Sequence, residues 1–168
     1  MMEVDAAEIA RIELQRPTTA RHEAAHAVAA IHYDCPIENV SIVGKWPSLG
    51  TTRMGVSKAA DIVVIICGPL AERAWEAFYP GARLPLQELL GTDAEAFNYL
   101  RDGLDIKDDE LLDLKSEAVE FLSDTTVQTQ IDRVAQSLLD MNTLTTEQVR
   151  TISQFTASRA PYKQQPNE

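Results

Sequence analysis

Two segments of the chain are apolar on nearly every side: residues 24–31 and residues 62–71. A helix apolar around most of its girth is a buried one, so both segments predict central helices. The first is expected to run from about residue 18 to Tyr33. Residues 6–14 form a short helix before it, and Arg16-Pro17-Thr18-Thr19 breaks the two apart. Thr18 or Thr19 is then the cap of the second helix, and Asp34-Cys35-Pro36 its end. The other central helix spans residues 58–78, with Gly68-Pro69 in its middle to kink or divide it. Between the two, Val40-Ser41-Ile42-Val43 alternates and is β-branched, which predicts a strand. Residues 44–50 read as a turn and residues 51–56 as a second strand.

After a loop over residues 79–90 the pattern becomes amphipathic. Thr92 and Glu95 match a capping box that opens a helix to about Leu100. Further helices are expected at about 108–121, 126–141 and 146–158, the last opened by a second capping box, Thr145 with Gln148. Val127, Ile131, Val134, Leu138 and Leu139 keep helical spacing and read as core. The acidic run at 105–113 reads as a solvated helix start. Trp46 and Trp75 read as packing residues. The predicted fold class is mainly α with a small β element (α+β). The expected organisation is an N-terminal helical extension at 1–16, one domain at 17–158 and a disordered tail at 159–168.

Composition narrows the function classes. A chain of 168 residues with 45% hydrophobic content can bury a core without staples. The net charge of −11 argues against a nucleic-acid or anionic-membrane partner. Cys35 and Cys67 are too few for a disulfide framework and read as reduced, buried thiols of a cytoplasmic protein. The first eleven residues lack the apolar core of a signal peptide, and the longest apolar run, 62–67, is too short to span a bilayer.

The chemistry concentrates in His22-Glu23-Ala24-Ala25-His26, which holds two of the chain's three histidines. On a helix, residues four apart share a face, so His22 and His26 can bind one metal ion together. Glu23, on the flank, can reach a water on that metal. A catalytic zinc takes a third protein ligand and leaves a position for water. His32 lies six residues past His26, points away from the pair, and reads as a solvated histidine. Two carboxylates remain as candidates. Asp93 sits in the first turn of a helix, where an anion is favoured. Glu72 lies in an otherwise apolar helix and needs a partner there.

Four motifs in order give a resemblance. His22-Glu23-Ala24-Ala25-His26-Ala27-Val28 resembles the H-E-A-G-H-A-V of the FtsH-type ATP-dependent zinc metalloproteases. Residues 40–43 with Leu49-Gly50 resemble that family's strand and following L-G. Cys67-Gly68-Pro69-Leu70-Ala71-Glu72-Arg73 resembles its A-G-R-x-A-E-E, and Gly91-Thr92-Asp93 the stretch that supplies its third zinc ligand. Thr143-Leu144-Thr145 is similar to its T-L before the last helix. The resemblance covers about residues 19–152. It implies a zincin-like helical peptidase domain with H-E-x-x-H on a central helix. His22, His26 and Asp93 would bind Zn2+, and Glu23 would be the catalytic base. Glu72 would support a ligand from behind, and is the fallback third ligand. The departures are Ala25 in place of glycine, Pro69 in place of arginine, and a shorter stretch between Gly50 and Lys58, which trims one wall of the substrate groove. No G-x-x-x-x-G-K-[ST] motif occurs, so no nucleotide partner is expected.

The resulting expectation is an ATP-independent zinc metalloendopeptidase acting on unfolded or small protein substrates through a water on the zinc activated by Glu23, with the strand at 40–43 pairing an extended substrate. The rival expectations are a zinc-binding adaptor or regulatory domain derived from the same fold, and a metal-free helical interaction domain. A monomer or small oligomer is expected.

Overall fold

A computed structural model describes residues 6–43, 50–75 and 90–154. Most of these residues are helical, and they are joined to a three-stranded antiparallel sheet. Trp46, most of the loop at 79–90 and the tail at 159–168 lie outside the described residues.

Helix α1 (Ala6–His32) is the spine of the fold. The break expected at 16–19 does not occur, and the boundary expected after residue 16 falls inside this helix. Pro17 has no N–H to offer the Glu13 carbonyl. Both residues are exposed, however, so that carbonyl faces solvent rather than core. Thr19 caps nothing; its Oγ1 turns back to donate to the Gln15 carbonyl at 3.1 Å. Arg16 ties this part of the helix to the far end of the chain, its Nη2 donating to the Leu139 carbonyl at 3.0 Å. Tertiary attachment therefore carries the helix across a residue that ends isolated ones.

Strands β1 (Ile37–Ser41) and β2 (Thr51–Met54) pair antiparallel, and β1 also pairs with β3 (Thr143–Thr145), in the order β2-β1-β3. The strand predicted at 40–43 starts earlier and stops at Ser41, leaving Val43 exposed. A register irregularity between Ile37 and Asn39 explains the shift. It lets Ile37 and Val40, three residues apart, both face the core, which simple alternation would forbid. β3 was not anticipated as a strand. Three residues are too few for a period, and it exists because Leu144 packs opposite Val40, both fully buried.

Helix α2 (Ala60–Trp75) opens with Asp61, whose Oδ2 accepts from the backbone N–H groups of Ser57 at 2.7 Å and Lys58 at 3.0 Å. Pro69 does not divide it. Residues on both sides of the proline, Ile62 to Cys67 and then Leu70 and Ala71, are buried against neighbouring helices. Each large one contributes about 1.5–3 kcal/mol, which outweighs the roughly 3 kcal/mol a mid-helix proline costs.

A 3-10 turn (Gly91–Asp93) leads into α3 (Ala94–Leu104). The cap position of this helix falls at Asp93, one residue after the expected Thr92, whose side chain lies outside the described residues. Asp93 occupies the cap position with helical backbone angles and makes no capping bond, because its carboxylate is turned elsewhere. Helices α4 (Asp108–Ser123), α5 (Thr125–Met141) and α6 (Thr146–Gln154) follow. The capping box at the start of α6 is present: the Thr145 N–H donates to Gln148 Oε1 at 2.8 Å and the Gln148 N–H to Thr145 Oγ1 at 3.3 Å. Asp124 caps α5, accepting from the N–H groups of Thr126 and Val127. Val127, Ile131, Val134 and Leu138 are buried, as their spacing predicted, and Leu139, expected with them, is partly buried.

Helix α1 packs chiefly on α2 and α5 and also touches the sheet, while α4 covers the far side of α2. Small residues on α1 (Ala20, Ala24, Ala25, Ala27, Ala29, Ala30), all fully buried, allow this close approach. Among the described residues no helix is long and apolar enough to cross a membrane.

Candidate metal centre

His22 and His26 stand one turn apart on α1, facing α2. Three residues of α2 at intervals of four, Val64, Gly68 and Glu72, form the stripe they meet. His26 Nδ1 lies 2.9 Å from the Val64 carbonyl oxygen, and His22 Nδ1 lies 2.8 Å from Glu72 Oε2. Each of these oxygens can only accept, so each Nδ1 carries the proton and each Nε2 is left as the second donor atom toward the site. The order of contacts also shows that α1 and α2 run in opposite directions. Gly68 is required between them. A Cβ on residue 68 would sit 2.3 Å from His26 Nε2 and 2.5 Å from its Cε1.

The two Nε2 atoms are 3.0 Å apart. Asp93 Oδ2 completes a triangle with them, 3.1 Å from His22 Nε2 and 3.4 Å from His26 Nε2. All three atoms therefore face one point, and among the described residues this is the one such cluster of histidine, cysteine or acidic groups. Asp93 Oδ2 is buried and has no hydrogen bond of acceptable geometry. Imidazole lone pairs and a carboxylate oxygen this close repel one another unless a cation lies among them. A proton serves in part. Burial alone would hold His22 neutral, but the facing carboxylates of Asp93 and Glu72 and the charge of Glu23 outweigh it and lift its pKa to about 10. Burial alone would likewise raise the Asp93 pKa, and the imidazoles of His26 and His22 reverse this, holding it well below the usual carboxylate range. A divalent cation satisfies all three groups at once. Two imidazoles and one carboxylate are a donor set that zinc accepts while keeping a further position open. The residues thus fit the metal that the sequence suggests.

The two candidate third ligands have separate positions. Asp93 faces both Nε2 atoms, whereas Glu72 bonds the opposite nitrogen of His22. That is the arrangement in which a carboxylate orients a ligating histidine.

Glu23 is 6% exposed. Thr52 Oγ1, on β2, donates to its Oε2 at 2.7 Å. Burial raises the Glu23 pKa, opposed by the nearby His22 and His26 and by the Thr52 bond. Gly50 makes room for the carboxylate, since a Cβ there would fall 2.5 Å from Glu23 Oε1.

His32 is exposed, packs against the rings of Tyr33 and Phe121, and takes no part in the site. Cys35 and Cys67 are buried free thiols. The strand expected to receive a substrate is not available for it. β1 is the inner strand, bonded on one side to β2 and on the other to β3, so its ladder is already used. The edge beside Glu23 is β2. Four contributors escaped the sequence reading as parts of the site: the Val64 carbonyl, the two glycines as spacers, and Thr52. A backbone carbonyl carries no sequence signal. The spacing of Gly68 and Glu72 did carry one, a full turn on the face that meets His22 and His26.

No protein-family profile matches the chain, and a search of curated proteins finds no match to it.

Proposed function

We propose that this chain is a zinc-dependent metalloendopeptidase of the FtsH type, hydrolysing peptide bonds in unfolded or small protein substrates. One observation carries the reading. His22, His26 and Asp93 turn three donor atoms onto one point, with a buried Asp93 oxygen that no hydrogen bond serves, beside a buried Glu23. The four motifs and their order support it.

His22, His26 and Asp93 would hold the metal, and Glu72 and Val64 would fix the two imidazoles in the ligating tautomer. When bound, zinc supplies Lewis acidity, lowering the pKa of a water to about 7 and polarising a carbonyl. Glu23 is the general base. A carboxylate whose pKa is raised by burial is better matched to accepting a proton from the attacking water near neutral pH. It then delivers that proton to the departing amine nitrogen, so the peptide bond breaks to a carboxylate and an amine. The outer edge of β2, which has no strand partner among the described residues, would hold the peptide extended, its backbone bonds giving affinity independent of sequence. A structural zinc site has no use for a buried glutamate next to its ligands, which weighs against the adaptor reading.

The test is Glu23→Gln in the full chain. The variant is expected to bind zinc one-to-one, like the parent, and to lose cleavage of an unfolded protein by 100-fold or more. Equal cleavage by both would refute the mechanism. Stoichiometric zinc with no cleavage by the parent would favour the adaptor reading, and no zinc in protein prepared without chelators would leave the metal-free interaction domain.

A further inference from the structure

The carboxylate of Glu23 is enclosed by the chain that enters β2. Thr52 Oγ1 is 2.7 Å from Glu23 Oε2 and 3.2 Å from the backbone carbonyl oxygen of the same residue. A hydroxyl has one proton to give, and the shorter contact takes it. The donor is held in place. Thr52 pairs with Val40, which is fully buried and pairs in turn with Leu144. A β-branched side chain in a strand also has little freedom about χ1. Two residues earlier, on the same face of the chain, Gly50 leaves the notch that Glu23 Oε1 and Cγ fill. One segment thus shapes both sides of the carboxylate, and a glutamate on a helix otherwise has three rotatable bonds with which to wander.

We infer that Thr52 is the positioning residue for the general base. Its hydroxyl ties one oxygen of Glu23 to β2, so the carboxylate keeps a single orientation beside His22 and His26. The tie has a second consequence, which rests on the hydrolase reading. Among the described residues the outer edge of β2 has no strand partner, and that edge would receive the peptide. Substrate docking and base position are therefore properties of one strand, with Thr52 as the link.

Thr52→Val keeps the shape and the strand preference and removes the donor; Thr52→Ser keeps the donor. With full-length, zinc-loaded protein and a fluorescent unfolded casein as probe, Thr52→Val is expected to lower kcat 10- to 100-fold with KM within about twofold, and Thr52→Ser to recover most of the loss. Zinc content should be equal in all three. A Thr52→Val enzyme with parental kcat, or a Thr52→Ser enzyme as impaired as Thr52→Val, would overturn the assignment. A second measurement does not need activity. With glutamate labelled at the carboxyl carbon, the Glu23 resonance, assigned by its loss in Glu23→Gln, should shift or broaden in Thr52→Val and stay in place in Thr52→Ser. An unmoved resonance in Thr52→Val refutes the positioning role even if the parent cleaves nothing, an outcome that would refute only the hydrolase reading. Should Thr52→Val fail to fold, Thr52→Ala takes its place with the same expected shift.

Discussion

His26 Nδ1 and the Val64 carbonyl oxygen lie 2.9 Å apart, a bond between the C-terminal part of α1 and the N-terminal part of α2. It settles which nitrogen of His26 faces the site, and it does so with an atom that mutation of the Val64 side chain cannot remove. The orientation of the imidazole is thus a property of how the two helices pack. Whatever disturbs that packing disturbs the metal centre.

Gly68 is the most sensitive point of the packing. Gly68→Ala puts a methyl group within 2.3 Å of His26 Nε2. Either the helices separate or the imidazole turns away. We expect the variant to lose at least 100-fold in zinc affinity by competition with a chromophoric chelator. Its helical content by circular dichroism should stay near that of the parent.

Asp93 and Glu72 are expected to fail differently. Asp93→Asn removes the charge that faces both Nε2 atoms and should abolish stoichiometric zinc binding. Glu72→Gln leaves an oxygen that can still accept from His22 Nδ1, so it should weaken zinc only about 10- to 100-fold, the usual loss for a group that orients a ligand. Zinc retained in Asp93→Asn and lost in Glu72→Gln would reverse the two assignments.

Pro17 lies exposed inside a continuous helix. Alanine there restores a backbone donor and relieves the ring's clash with the preceding turn, so Pro17→Ala should raise stability by about 1–3 kcal/mol. Chemical denaturation of the parent and the variant measures this. A neutral or negative change would mean that the local backbone is adapted to the proline.

Cys35 gives an alkaline dependence of stability. Burial, then the charge of Asp61, raise the thiol from 9.0 to about 11. Below pH 9 the folded and unfolded chains both keep the proton, and stability does not depend on this group. Between about 9 and 11 the unfolded chain ionises and the folded one does not, so stability falls as pH rises. Cys35→Ala should flatten that limb relative to the parent in denaturation curves recorded at pH 8 to 10.5. Parallel curves would exclude the thiol as a contributor.

The sequence by itself determined the parts that depend on local spacing. His22 and His26 share a helix face because they are four apart. Thr145 and Gln148 cap α6 because they are three apart and free to meet. The period of Val127, Ile131, Val134 and Leu138 fixed which face of α5 is buried. The sequence also named Glu23 from its place between the histidines, Asp93 from its place in the first turn of a helix, and Glu72 because an acid in an apolar helix needs a partner. It misjudged Pro17, where long-range bonds hold the helix across the proline; it expected Pro69 to kink or divide α2, which runs on as one helix; and it put the cap of α3 at Thr92, one residue before Asp93. Only the tertiary structure decided what faces what: Asp93 on the Nε2 side and Glu72 behind His22, Gly68 as the space for an imidazole, β1 as an inner strand, and Thr52 against Glu23. The side-chain relations join residues 29 to 71 positions apart in the chain, and the β1–β3 pairing joins Val40 to Leu144; no local period encodes distances of that kind.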